Sequence, residues 1–108
     1  MSREISEPDW KVFRRLREIA LERFCQRVLS EITCVAADTS KSAHERYLAV
    51  FKLITQRDEH LASAFDNPRR SAALLQLLCI QSHKLLTDDE MSQFSAETRE
   101  AVKVNLGE

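Results

Sequence analysis

Apolar residues recur along most of this chain at steps of three and four, the spacing of one helix face. From Glu7 to about Ala37, Phe13, Ala20, Phe24, Val28 and Val35 fall on one side, and Leu16, Leu21 and Ile32 widen the stripe. From Ala43 to about Phe65 the pattern sharpens: Tyr47, Phe51, Ile54, Asp58, Leu61 and Phe65 alternate steps of four and three, a heptad-like seam. The next block differs. Between Ala72 and Ile80 every residue except Gln76 is apolar, so at ~100° per residue the side chains point in all directions. A helix apolar all round must be covered all round. This run is about half a membrane span long and is bracketed by Pro68-Arg69-Arg70 and His83-Lys84. The stretch Asn67 to Leu86 therefore reads as a buried central helix around which the chain is organised.

The polar residues between these blocks supply helix ends. Ser6 can cap the first helix, with Pro8 in its first turn and Asp9 placed to close a reciprocal capping box. Unbroken by Gly or Pro to about Ala37, that helix would reach ~45 Å. Ser42 with Glu45, and Thr87 with Glu90, have the spacing of two further capping boxes. Asp66-Asn67 is read as the cap of the central helix, with Pro68 in its first turn. After a short helix through Met91 to Phe94, Ser95 opens a last amphipathic helix, Ala96 to about Leu106, ended by Gly107. One Gly, two Pro and 6% aromatic residues leave little turn chemistry for hairpins. The expectation is an all-α single domain over residues 1–108. It is a small bundle of four main helices, the last split or kinked, with a long N-terminal helix.

Charge narrows the classes of partner. Sixteen basic and 17 acidic residues give a formal net charge of -1 and are spread along the chain, which argues against a polyanion-binding protein. The charged face of the first helix carries Lys11, Arg14, Arg15, Arg17, Glu18, Glu22, Arg23, Gln26 and Arg27, and its glutamates and arginines lie at ion-pair spacing. It reads as a solvated face. Three cysteines, Cys25, Cys34 and Cys79, form an odd set, and the N-terminus has no charged-then-apolar leader pattern, so a cytoplasmic location with reduced thiols is expected, without membrane insertion.

Candidate chemistry is sparse. Asp58 interrupts the seam of the second helix, where its carboxylate must find a donor or stay in water. Arg69 or Arg70 is the nearest ion-pair partner in sequence, and a helix break near Gln56-Arg57 would instead turn Asp58 outward. A sharper reading groups Asp58, Tyr47, His44, Arg69 and Arg70 as a small-ligand pocket. On the central helix Arg69, Gln76 and His83 recur at intervals of seven as its one polar stripe, while Cys79 and His83 are four apart, the separation of a shared metal or thiol–imidazole pair. No second Cys/His pair supports that pair, so no metal, cofactor or catalytic group is assigned. His44 and His60 read as surface residues. A helix without a polar face, beside one too long for its neighbours, points to a non-enzymatic homodimeric interaction or regulatory module, with another protein as a possible partner. The rival readings are a sensor or minor enzyme with a pocket near Asp58, and a nucleic-acid regulator using Arg14, Arg15, Arg17, Arg69 and Arg70.

Overall fold

The computed structural model describes residues 4–107. Helix α1 spans Glu7–Ala36, α2 Ala43–Phe65, α3 Ala73–Ser82, α4 Asp88–Met91 and α5 Ala96–Asn105, and a 3-10 turn over Arg70–Ala72 leads into α3. No strand occurs among the described residues. The radius of gyration is 16.6 Å, against about 13 Å for a compact chain of this size. The extents of 51 × 27 × 25 Å give the reason: α1 and α2 form a hairpin that extends well beyond a globular base.

All fully buried apolar side chains lie in the base. They include Phe13, Leu16, Ala20 and Phe24 of α1, Ala64 and Phe65 of α2, and Ala73, Leu77 and Ile80 of α3, with Leu85, Leu86, Phe94 and Val102 closing the core. Past Phe24 on α1, and before Ala64 on α2, no residue is fully buried. That leaves ~18 Å of two-helix arm. Arg57 of α2 spans the arm to Glu31 of α1 at 3.2 and 2.7 Å, and Arg46 donates to the Ala36 carbonyl at 2.7 Å near the tip.

The helix starts follow the local rules. Ser6 and Ser95 accept a backbone N–H from Asp9 and Thr98, and both reciprocal boxes, Ser42 with Glu45 and Thr87 with Glu90, are formed. Gly107, at φ 78°, follows the C-cap of α5. Asp9 departs from expectation. Its side chain does not turn back to Ser6 but accepts from Ser95 N at 2.8 Å, Ser95 Oγ at 2.6 Å and Thr98 Oγ1 at 2.6 Å. A carboxylate in the first turn of α1 thus pins the amino end of α5, where the helix dipole favours it.

The central helix also needs correction. It starts at Ala73 instead of Pro68, because α2 ends at Asp66 in extended backbone and Asn67 takes a left-handed φ of 51°. Arg69 stays extended and the 3-10 turn follows. At ten residues α3 is short enough to be surrounded by α1, α2 and α5 of its own chain, and of its apolar side chains only Leu75, 68% exposed, faces away. Gln76 is not part of a wet stripe. It is buried, and its Nε2 donates to the Asp66 carbonyl at 2.6 Å. Lys84, at φ 53°, ends α3 in a Schellman turn: Leu85 N donates to Ile80 O at 3.4 Å and Lys84 N to Gln81 O at 2.9 Å.

The charged face of α1 is only partly solvated. Arg17 donates to the Phe65 carbonyl at 2.5 Å, at the end of α2. Arg23 reaches the Leu85 carbonyl at 2.8 Å and grips Glu90 at 2.6 and 3.0 Å. Arg27 holds the His83 and Lys84 carbonyls just past α3. These guanidiniums occupy carbonyls that helix ends leave without partners.

Candidate interaction surface

The arm carries the feature that the fold itself does not explain. On α2, Ala49, Val50, Leu53, Arg57, Leu61 and Ala64 are partly or fully buried and form the side that meets α1. Leu61 and Phe65, the members of the heptad-like seam nearest the base, are partly and fully buried, whereas its distal part, Tyr47, Phe51, Ile54 and Asp58, lies ~100° round the helix from the side that meets α1. Its members are exposed: Tyr47 by 68%, Phe51 by 65% and Ile54 by 47%, with Leu48 and, across on α1, Leu29 also open. Between the helices a groove of about 300 Å³ runs along this side, with Cys25, Val28, Leu29 and Ile32 on one wall and Ile54, Asp58 and Leu61 on the other. The surface is continuous, apolar and uncovered.

Asp58 sits at the rim of this groove, exposed and with no cation within 4.0 Å among the described residues. The helix does not break at Gln56-Arg57, since α2 is continuous. Asp58 faces water because the seam itself does. The proposed ligand set does not converge. His44 is in the first turn of α2, ~21 Å along the axis from Asp58, and Tyr47 is ~16 Å away. Arg70, beyond the other end of α2, donates to the Ile5 carbonyl at 2.7 Å and pairs with Glu7 at 3.3 Å. Arg69 is exposed in the extended link. Of the remaining arginines, Arg14 lies over the Trp10 ring, Arg15 binds Gln93 and Arg17 pairs with Glu18 at 3.0 Å. Arg15, Arg17 and Arg70 are thus engaged by their own chain, whereas the Arg14 and Arg69 side chains make no hydrogen bond among the described residues.

On the other side of the arm, a groove of about 310 Å³ is lined by Arg27, Glu31, Arg57, His60 and His83. The His60 and His83 rings are 5.2 Å apart and His83 stands edge-on to Phe24. Burial, then His60, Arg27 and Arg57, push the His83 imidazole below its usual pKa. The two guanidiniums make this a poor place for a cation, and no cluster of three or more metal-binding side chains occurs among the described residues. Cys79 packs against the core while His83 turns to His60 and Phe24, so the pair four apart on α3 forms no thiol–imidazole site. His60 was legible only as a polar residue on α2, and its neighbour is set by tertiary packing. No helix of the described residues is long and apolar enough to cross a membrane.

Compared with family models, curated proteins and solved structures, the chain matches none.

Proposed function

We propose that this protein is a non-enzymatic interaction module that works as a homodimer, two copies joining their arms into a four-helix bundle. The observation that carries the proposal is the uncovered seam of Tyr47, Phe51 and Ile54 beside Leu29. Aromatic side chains present about 150–250 Å² each. At the exposures seen, Tyr47, Phe51, Leu29, Leu48 and Ile54 offer roughly 450 Å² of apolar surface per copy. With a polar rim this approaches the ~800 Å² per partner of a standard interface. Burying it on both copies is worth ~20 kcal/mol gross at ~25 cal/mol/Å², against an association cost of roughly 4–15 kcal/mol. A two-fold axis lets one patch cover itself. Asp58, the one charge in the seam, then selects the register in which its carboxylate remains at the wet edge. Three free thiols suit a reducing compartment, and we place the module in the cytoplasm.

Sedimentation velocity over a dilution series tests this. The wild type should sediment as a dimer at micromolar concentrations and Phe51→Glu as a monomer of unchanged helicity, since Phe51 does not contribute to the monomer core. A wild-type protein that stays monomeric at the highest soluble concentration would refute the proposal.

A further inference from the structure

At the opposite end of α1, ~40 Å from the arm tip, lies a second surface with different chemistry. A cleft of about 480 Å³ separates the segment before α1 from α5, with Ile5, Leu74 and Val104 as its apolar floor. Glu97, Glu100, Ala101 and Val104 recur at three and four on α5, so the cleft follows that helix as a trough ~10 Å long. Among the described residues its charged lining is entirely acidic: Glu4, Asp9, Glu97 and Glu100. Asp9 is 3% exposed, and its partners are the Ser95 amide and the Ser95 and Thr98 hydroxyls. These are neutral donors, so among the described residues the buried negative charge at the wall has no counter-ion. Glu4 has Arg70 at 4.0 Å, whereas Glu97 and Glu100 have no cation within that distance among the described residues. The other side of α5 is mainly basic, with Lys84, Arg99 and Lys103 beside the single carboxylate of Asp88 around a separate cleft of about 400 Å³. The acidity is therefore segregated and not a general property of this helix.

We propose that this trough docks a basic, amphipathic segment of a partner protein. Large apolar side chains of the segment lie on Ile5, Leu74 and Val104, and flanking Lys or Arg side chains meet Glu97 and Glu100. The amino end of α5 is already occupied by Asp9, so its dipole attracts no competing anion. At ~10 Å the trough suits about two helical turns, or about three extended residues, of a chain better than a single ion. The site is independent of the arm, and its test separates the two.

A phage-displayed library of random dodecapeptides is selected on the full chain, and enriched peptides are synthesised with a fluorophore for anisotropy titration. Enriched sequences should combine basic with large apolar residues, and their affinity should weaken as salt is raised. Glu97→Lys/Glu100→Lys should reduce affinity by about tenfold or more, through like-charge contact. Glu97→Gln/Glu100→Gln, which places no cation in the first turn of α5, should weaken binding in the same direction with the helicity retained. Phe51→Glu should leave binding unchanged. Failure to enrich peptides, enrichment without basic residues, or indifference to both double variants would overturn the proposal. Loss of binding with Phe51→Glu alone would also overturn it, by placing the peptides on the arm.

Discussion

Replacing Asp9 with alanine tests the linkage that closes the base. The wild-type carboxylate accepts three hydrogen bonds of 2.6 to 2.8 Å from Ser95 and Thr98. Hydrogen bonds to a charged group contribute ~1.5–3 kcal/mol each, so three would sum to well over 4 kcal/mol if they were additive. Burying the charge costs several kcal/mol, and that cost disappears with the side chain. The expected net loss is ~2–4 kcal/mol, or a fall in Tm of roughly 10–25 °C for a domain of this size. It should be read by urea denaturation followed by far-UV circular dichroism, with hydrogen exchange showing α5 as the first element to lose protection. The pH dependence adds a sign. Burial raises the Asp9 pKa, but the hydrogen bonds from Ser95 and Thr98 outweigh it and hold the carboxyl below its ordinary 3.8. Its contribution is therefore present above that value and is lost as pH falls through the lower folded pKa. Asp9→Asn, which keeps the shape without the charge, should lie between wild type and Asp9→Ala at neutral pH and converge on wild type in acid. An alanine variant within ~0.5 kcal/mol of wild type, the range of an ordinary surface substitution, would refute the reasoning.

Glu90 is held down to about 2 from 4.5, first by the Arg23 hydrogen bonds and then by the Thr87 amide. Glu90→Gln should cost ~1–2 kcal/mol at pH 7, discounted because Arg23 is partly exposed, and that difference should vanish in urea melts as pH falls from 4.5 toward 2. His83, whose folded pKa lies below its ordinary 6.5, makes the protein less stable as pH drops below 6.5. His60→Gln should reduce that slope, and an NMR titration in which the His83 pKa does not rise would contradict the charge coupling. Lys84→Gly places glycine at a left-handed position and should raise stability by ~1 kcal/mol in the same melts, whereas a lower midpoint would show that the lysine side chain contributes more than the backbone strain.

What was legible in the sequence was local. Ser6, Ser42 with Glu45, Thr87 with Glu90, and Ser95 act over three residues, and each sits at a helix start as read. The all-helical class, the long α1 and the split final helix follow from the same short-range rules. The misread features depend on distant contacts. Asp9 resembled a capping-box acid because the sequence does not show Ser95, 86 positions away, approaching it. Gln76 looked like a wet position on α3 until the turn at Asn67 brought the Asp66 carbonyl within 2.6 Å. Arg17, Arg23 and Arg27 had the spacing of a solvated, ion-paired face, yet each ends on a backbone carbonyl of another segment. Charge patterning shows which side chains can leave the surface of a helix, and the packing of other helix ends decides which of them do.

The same distinction governs α2. Periodicity establishes that a helix has an apolar face and leaves open whether that face is covered. Here two faces compete: one built from Ala49, Val50, Leu53, Leu61 and Ala64, the other from Tyr47, Phe51 and Ile54. The first meets α1, its alanines allowing close approach, and the Arg57–Glu31 pair closes that contact. Once that seam is formed, the second adds nothing to the monomer. A hairpin needing only solubility would carry polar residues there, as it does at Lys52, Gln56 and Glu59. Large exposed apolar side chains in one contiguous stripe are unfavourable for an isolated chain. Under the proposed dimer they have a use, and Asp58 among them becomes the residue that penalises misaligned pairings. Asp58→Leu should then increase self-association while broadening the distribution of oligomers in sedimentation. A sharper, tighter dimer from that variant would show that Asp58 does not set the register.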